Sequence, residues 1–208
     1  MRAKRLFAVF LLCLNLGTLP AYAEASQDAK TFADTLGHEA VNILGNTSLS
    51  QDDKRQKLEA LFQQYVDIDW VGQFVLGRFW KSATDDQKAR YLTNYRSFIL
   101  THYTSDLTEF TNVNFEVSKV VPDERGGNIV TVRIKRPNAE DTIVDYTVRT
   151  KEGQGLRVYD IAVEGVSMIT TQRSEFNSVA SQHGVDYLID QLAERSKKDT
   201  TMSKQKAQ

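Results

Sequence analysis

Asp160 is the side chain of this sequence whose surroundings best suit acid–base chemistry. It lies in a predicted strand between Tyr159 and Ile161. A carboxylate that faces an apolar pocket has a raised pKa and can act as a general base. With Tyr103 or Tyr146 as the proton donor, such a pocket would suit a small-molecule enzyme. We favour the alternative, in which Asp160 faces solvent or braces the backbone and the tyrosines pack with bonded hydroxyls.

The other reactive side chains lack the partners that chemistry requires. His38, His102 and His183 lie in unrelated segments, and none has a second metal ligand at helical or strand spacing. Cys13 is the single cysteine, and it follows Leu12 inside an apolar run, which does not fit a lipoprotein cleavage site. The sequence therefore predicts no catalytic residue, no metal site and no cofactor, and we expect a protein that is not an enzyme.

The N-terminus has the pattern of a secretory signal. Arg2, Lys4 and Arg5 precede an apolar run over residues 6–16, and Ala21-Tyr22-Ala23 matches the small-x-small cleavage pattern. The run is too short to span a bilayer, which takes about 20 residues. We predict cleavage after residue 23, so that residues 1–23 are a signal peptide and the protein is exported.

The charge balance argues against a nucleic-acid partner. The chain has 26 Lys and Arg residues against 27 Asp and Glu residues. Cleavage of the signal removes three bases and no acids, which leaves a mature chain acidic by about four charges. Binding to nucleic acid needs a basic surface. No later stretch is long and apolar enough to suggest a membrane span.

Helical periodicity covers both ends of the mature chain. We predict a helix over 26–45 with Ser26 as its N-cap, and a second helix that begins at Ser50. A long helix follows Thr84, and the helical period returns over 167–196. A polar tail over 197–208 is expected to be disordered.

Between these helices the period changes to two. Alternating apolar and polar residues with turn residues between the runs predict an antiparallel meander with one buried face. The alternation is found in four runs, over 113–117, 130–134, 144–148 and 159–163. The fold class is therefore α+β, with a curved antiparallel four-stranded sheet packed by several helices in one domain over 24–196.

Three blocks of sequence resemble the MlaC family, also known as toluene-tolerance auxiliary proteins. They are VLGRFW at 75–80, VDYTV at 144–148 and VYDIAVEGVSMI at 158–169, and the last continues into GVDYLIDQL at 184–192. The blocks occur in the family's order, and the resemblance spans about 30–195.

The resemblance implies a periplasmic carrier of phospholipid. It implies a nuclear-transport-factor-like cone whose apolar pocket holds the acyl chains and leaves the headgroup outside. The bound phospholipid would be cargo, shuttled between two partners to maintain the lipid asymmetry of the outer membrane. These partners would be an inner-membrane ABC transporter complex with a lipid-binding ring and an outer-membrane lipoprotein–porin complex. We expect a monomer.

For the pocket, we predict residues of the inward sheet face and of the facing helices. The predicted acyl-chain contacts are Leu76, Phe79, Phe98, Ile99, Tyr103, Val144, Tyr146, Val148, Ile161, Val163, Val166 and Met168. Periodicity alone does not separate a ligand pocket from a filled core. A periplasmic adaptor or chaperone with a filled core therefore stays open beside the carrier and the enzyme.

Overall fold

Helices occupy both ends of the chain, and a sheet lies between them. The computed structural model describes residues 19–107, 113–137 and 139–206. The helices are α1 (Leu19–Gly45), α2 (Gln51–Tyr65), α3 (Ile68–Leu76), α4 (Arg78–Ser82), α5 (Asp85–Leu107), α6 (Met168–His183) and α7 (Val185–Lys206). The strands are β1 (Asn114–Pro122), β2 (Asn128–Lys135), β3 (Thr142–Lys151), β4 (Gly155–Val163) and β5 (Val166–Ser167).

Side-chain caps fix where the central helices begin. Ser50 and Asp53 form a reciprocal capping box at the start of α2. Thr84 and Gln87 do the same before α5, with N–H to side-chain distances of 3.0 and 3.2 Å. The Asp67 carboxylate accepts from the N–H of Trp70 and caps α3. The predicted starts of α2 at Ser50 and of α5 after Thr84 are confirmed.

The two terminal helices are longer than the sequence predicts. Helix α1 begins at Leu19, so Ser26 lies inside it and is not its cap. Helix α7 runs to Lys206, which makes residues 197–206 helical where we predicted disorder. A helix that is already anchored by packing extends at little cost, because only its nucleus is unfavourable. Residues 1–18, most of the predicted signal peptide, lie outside the described residues.

The sheet is an open antiparallel meander of five strands in the order β1-β2-β3-β4-β5, where the sequence predicts four. The extra strand is only two residues long and pairs Val166 with Val163. Glu164 and Gly165 form the turn between β4 and β5, with φ of 49° and 78°. Positive φ at both turn residues is typical of a tight hairpin. A strand this short has no periodicity for a sequence pattern to reveal.

A bulge in β4 curves the sheet. Thr147 pairs with Asp160 and Val148 pairs with Val158, which leaves Tyr159 as the extra residue. Bulges bend a strand and increase its twist. Val158 and Ile161 consequently both face the concave side of the sheet.

The helices α3, α5, α6 and α7 pack into a filled apolar core. Its fully buried side chains include Leu76, Tyr91, Tyr95, Phe176, Ile189 and Leu192. Among the described residues, no helix is long and apolar enough to cross a membrane.

Candidate functional site

A cavity of about 400 Å³ lies between the concave face of the sheet and the helices α1, α2, α5 and α6. This volume falls in the range of about 300–1,000 Å³ that is usual for ligand pockets. The helix α1 contributes Ala33, Leu36, Gly37, Ala40, Val41 and Leu44 to its wall. The helix α2 contributes Leu58, Leu61, Phe62 and Tyr65. Most of the lining is therefore aliphatic or aromatic.

Small residues let α1 approach the sheet closely at one end. Ala29 and Ala33 pack on Val130 and Val148 and form a buried cluster with them. Further along α1, larger side chains such as Leu36 line the cavity instead. Because residues four apart lie on one face of a helix, the same face of α1 both packs on the sheet and lines the cavity.

Gly37 gives the Phe115 ring the space it occupies between α1 and the cavity. A methyl group at Gly37 would lie 2.3 Å from Cε2 of Phe115, far inside van der Waals contact. His38 meets the same ring edge to face at 5.0 Å. The glycine therefore determines where Phe115, which lines the cavity, can lie.

Many of the predicted acyl-chain contacts surround this cavity. Those in its wall are Ile99, Tyr103, Val144, Tyr146, Ile161, Val163 and Met168. They come from α5, β3, β4 and α6, so elements distant in sequence meet at one site.

The other predicted contacts are not among the residues that line this cavity. Leu76 and Phe98 are buried in the helical core, and Phe79 packs against that core. Val148 is fully buried because α1 covers it. Val166 is 58% exposed beside the opening. Alternation and helical spacing indicate which residues are buried, but not which element covers them.

The residues that α1, α2 and the first two strands contribute to the wall are not among those predicted from the sequence. The available signal was the helical spacing of apolar residues such as Leu36 and Ala40 on α1. No pattern showed that this face lies over the sheet. The strands β1 and β2 add Phe115, Val132 and Ile134 to the wall.

The cavity opens at the end of the sheet where β4 finishes. Val163 lines the cavity and is 37% exposed. Arg136 and Thr142 line the cavity at the same end, where the guanidinium donates to the Thr142 hydroxyl at 3.0 Å. Within the described part of the chain, the opening thus combines apolar side chains with the guanidinium of Arg136.

Asp160 braces the start of α6. One carboxylate oxygen accepts from the Ser167 hydroxyl at 2.6 Å, and the other accepts from the N–H of Ile169 at 3.3 Å. Both oxygens are therefore used at the helix N-terminus, where a negative charge is stabilised. This arrangement matches the structural role that we favoured for Asp160 over that of a general base.

Tyrosine hydroxyls and one amide are the main polar groups deeper in the cavity. Tyr95 donates to Oε1 of Gln172 at 2.8 Å, and Nε2 of Gln172 donates to the Tyr103 hydroxyl at 2.7 Å. Burial raises the pKa of Tyr95, Tyr103 and Tyr146 above the ordinary value of 10. These hydroxyls are therefore neutral at physiological pH. Among the described residues, no group of three or more His, Cys, Asp or Glu side chains could hold a metal ion.

Comparison with known families decides the relationship. The family model described as "MlaC protein" matches residues 35–194. The chain belongs to the MlaC family. The resemblance of the sequence blocks is thereby confirmed.

Two curated relatives agree with this membership of the MlaC family. The "Intermembrane phospholipid transport system binding protein MlaC" of Haemophilus influenzae is 27% identical over 132 residues. This match covers 62% of the chain and 61% of the relative. The "Toluene tolerance protein ttg2D" of Pseudomonas putida is 20% identical over 176 residues, with 81% of each protein covered.

A solved structure shares the fold. It is the phospholipid-binding protein from Ralstonia solanacearum in complex with a phospholipid, with a TM-score of 0.71 and 25% identity. The match covers 83% of this chain and 99% of the other. The α+β class with an antiparallel sheet is confirmed.

Proposed function

We propose that the protein binds a phospholipid by its acyl chains in the cavity between the sheet and α1. The observation that carries this proposal is the apolar cavity itself. The phospholipid-binding protein from Ralstonia solanacearum, solved in complex with a phospholipid, shares the fold. Ile99, Tyr103, Val144, Tyr146, Ile161, Val163 and Met168 would contact the chains. The headgroup would stay at the opening near Arg136.

The energetics of lipid transfer suit such a cavity. Each methylene group removed from water contributes about 0.8 kcal/mol, so two chains with about 28 methylenes carry a penalty of about 20 kcal/mol in water. A free phospholipid therefore does not cross an aqueous compartment at a useful rate. Apolar contacts can match the stability of the lipid in a bilayer without exceeding it by far, so the cavity can both load and release.

We further propose a place and route for this carrier. The predicted signal peptide supports export, and the names of the relatives support a part in phospholipid transport between membranes. The protein would act in the periplasm as a monomer, between an inner-membrane ABC transporter complex and an outer-membrane lipoprotein–porin complex. Its cargo would be the phospholipid, and it would not act as an enzyme, because both oxygens of the candidate base Asp160 accept hydrogen bonds at the start of α6.

A vesicle transfer assay tests the carrier function. Donor vesicles with a fluorescent phospholipid are mixed with acceptor vesicles, and the transfer rate is measured with and without the protein. We expect the wild-type protein to accelerate transfer and Ile161→Trp, which fills the cavity, to lose the acceleration. Tyr187→Trp places the same side chain on the exposed face of α7 and should transfer like the wild type.

Two results of this assay would count against the carrier. One is a wild-type protein, shown to be folded by circular dichroism, that leaves the transfer rate unchanged. The other is an Ile161→Trp variant that transfers lipid as fast as the wild type, because the cavity would then not be the route.

A further inference from the structure

Five tyrosines among the described residues line the cavity, and they fall into two groups by what their hydroxyls do. Three hydroxyls are engaged with side chains of the protein. Tyr65 donates to Glu39 at 3.1 Å, Tyr95 donates to Gln172, and Tyr159 lies against the carboxylate of Asp67. The other two, Tyr103 and Tyr146, keep a donor that no described residue accepts.

The hydrogen-bond chain through Gln172 determines whether the Tyr103 hydroxyl donates or accepts in its bond with the amide. Because Tyr95 donates to Oε1 of Gln172, the amide nitrogen faces Tyr103 and donates to its oxygen. The Tyr103 oxygen is thus an acceptor in this bond, and its own proton is left to donate elsewhere. Tyr146 has no hydrogen-bond partner among the described residues, although burial raises its pKa and keeps it protonated.

Both tyrosines lie one layer below the opening. The pair of Val144 and Val163 lies at the opening, where Val163 is exposed. Tyr146 lies two residues further along β3 and pairs with Ile161. Two residues of a strand span about 7 Å. On the opposite wall, Gln172, whose amide donates to Tyr103, lies four residues after Met168 on α6. Four residues of a helix span about 6 Å.

An apolar cavity stabilises a hydroxyl donor only when the ligand supplies an acceptor, since an unpaired polar group in such a place is costly. In a diacyl phospholipid, the two ester carbonyls are the acceptors between the headgroup and the methylene chains. They occur in a pair, and they lie directly below the headgroup. Their number matches the two hydroxyl donors in the cavity that no described residue accepts.

We propose that the hydroxyls of Tyr103 and Tyr146 donate hydrogen bonds to the ester carbonyls of the bound lipid, so that the cavity selects ester-linked glycerolipids. This proposal rests on the proposed phospholipid binding and adds the linkage to which the site responds. An ether-linked lipid of the same chain length has no carbonyl there. Its binding would leave both hydroxyls buried without an acceptor.

The test compares dioleoyl phosphatidylcholine with its dialkyl ether analogue of the same chain length. Dissociation constants are measured for both lipids by displacement of a fluorescent lipid. We expect the wild type to favour the ester lipid by roughly tenfold, as the loss of a hydrogen bond to a buried donor implies. Tyr103→Phe and Tyr146→Phe should each reduce the preference, and the double variant should abolish it.

The direction in which the affinity for the ether lipid changes distinguishes recognition of the lipid from a structural role of the two tyrosines. Removal of the hydroxyls should improve the binding of the ether lipid, because the unpaired donors are then gone. A variant that is merely destabilised would bind both lipids more weakly. Tyr91→Phe is the control, since it removes a buried hydroxyl that donates to the Gly72 carbonyl outside the cavity and should leave the preference unchanged.

Equal affinity of the wild type for the two lipids would overturn the proposal while leaving phospholipid binding intact. A double variant that keeps the ester preference, or a Tyr91→Phe variant that loses it, would also overturn it. Failure of the folded wild type to bind either lipid would overturn the proposed function itself, and this inference with it.

Discussion

The helical layer and the sheet layer bury apolar side chains in different ways. In the layer of α3, α5, α6 and α7, Tyr95 meets Phe176 edge to face at 6.1 Å, and the side chains fill the core. On the concave side of the sheet, the apolar residues divide into two smaller clusters at the two ends of α1. The cavity lies on this second side.

The composition of the two layers does not account for this difference, because both are rich in aliphatic and aromatic side chains. The difference lies in what covers them. Each helix of the filled layer has other helices against it, whereas the curved sheet is covered mainly by one helix, α1, which packs closely only where its residues are small. Substitutions in the two layers should therefore have different consequences.

The largest effect on stability should come from the filled layer. Phe176 is 1% exposed, and Phe176→Ala would leave a cavity among Tyr95, Phe98 and their neighbours. Such truncations cost about 3–5 kcal/mol. Denaturant unfolding should show this loss, while the protein that stays folded should still carry lipid. A loss below about 1 kcal/mol would contradict a filled core at this position.

Two substitutions on neighbouring strands separate the cavity from the packed part of the sheet. Ile161→Trp should abolish lipid binding with a small change in the free energy of unfolding, because the indole ring fills existing space. Val148→Trp should do the reverse. Val148 is fully buried under α1, and overpacking there should cost about 1–3 kcal/mol while lipid binding persists.

Bound lipid is quantified by organic extraction and the free energy of unfolding by urea titration. If Val148→Trp emptied the cavity and kept its stability, the position assigned to Val148 would be wrong. If the lipid content of Ile161→Trp were unaltered, the assignment of Ile161 to the cavity wall would be wrong.

A smaller effect is expected at Gly37. Gly37→Ala should push the Phe115 ring toward the cavity and reduce the bound lipid in part. Alanine favours a helix by about 1 kcal/mol over glycine, which offsets part of the steric cost in stability. Gly45→Ala is the matched control at the end of the same helix, since no atom lies within 4 Å of its added methyl group. Equal lipid content in the two variants would refute the role of Gly37.

The smallest effect concerns the end of the sheet away from the opening, where the Asp123 carboxylate accepts a hydrogen bond from Arg149 at 2.7 Å. Burial alone raises the pKa of Asp123, but the hydrogen bonds from Arg149 and from the backbone of Arg125 lower it below 3.8. The folded state thus keeps the carboxylate ionised to lower pH than the unfolded chain does. Its contribution to stability is full above about pH 4 and is lost as the pH falls through the folded pKa.

Asp123→Asn tests this pH dependence. The wild type should be more stable than the variant at pH 7, and the difference should shrink below about pH 4. Urea titrations at pH 3 and pH 7 give both values. A difference that stays constant between the two pH values would show that the carboxylate does not titrate with folding.

Sequence patterns predicted the elements better than their arrangement. Capping residues such as Ser50 and Thr84 fixed the helix starts because their effect is local. The β4 bulge at Tyr159 and the short β5 leave no periodic signal. The place of Val148 under α1 depends on contacts between segments about 115 residues apart, which periodicity does not report. Alternation alone predicts half-buried residues such as Tyr146 and Ile161 as inward-facing, and it was the family resemblance that predicted a pocket beside them.

Lipid binding in the cavity is tested most directly by native mass spectrometry of the protein purified from cells, with Ile161→Trp analysed in parallel. We expect a stoichiometric phospholipid adduct on the wild type and a bare mass for the variant. A bare mass for the wild type that persists after mixing with phospholipid vesicles would contradict the assignment of the cavity as a lipid site.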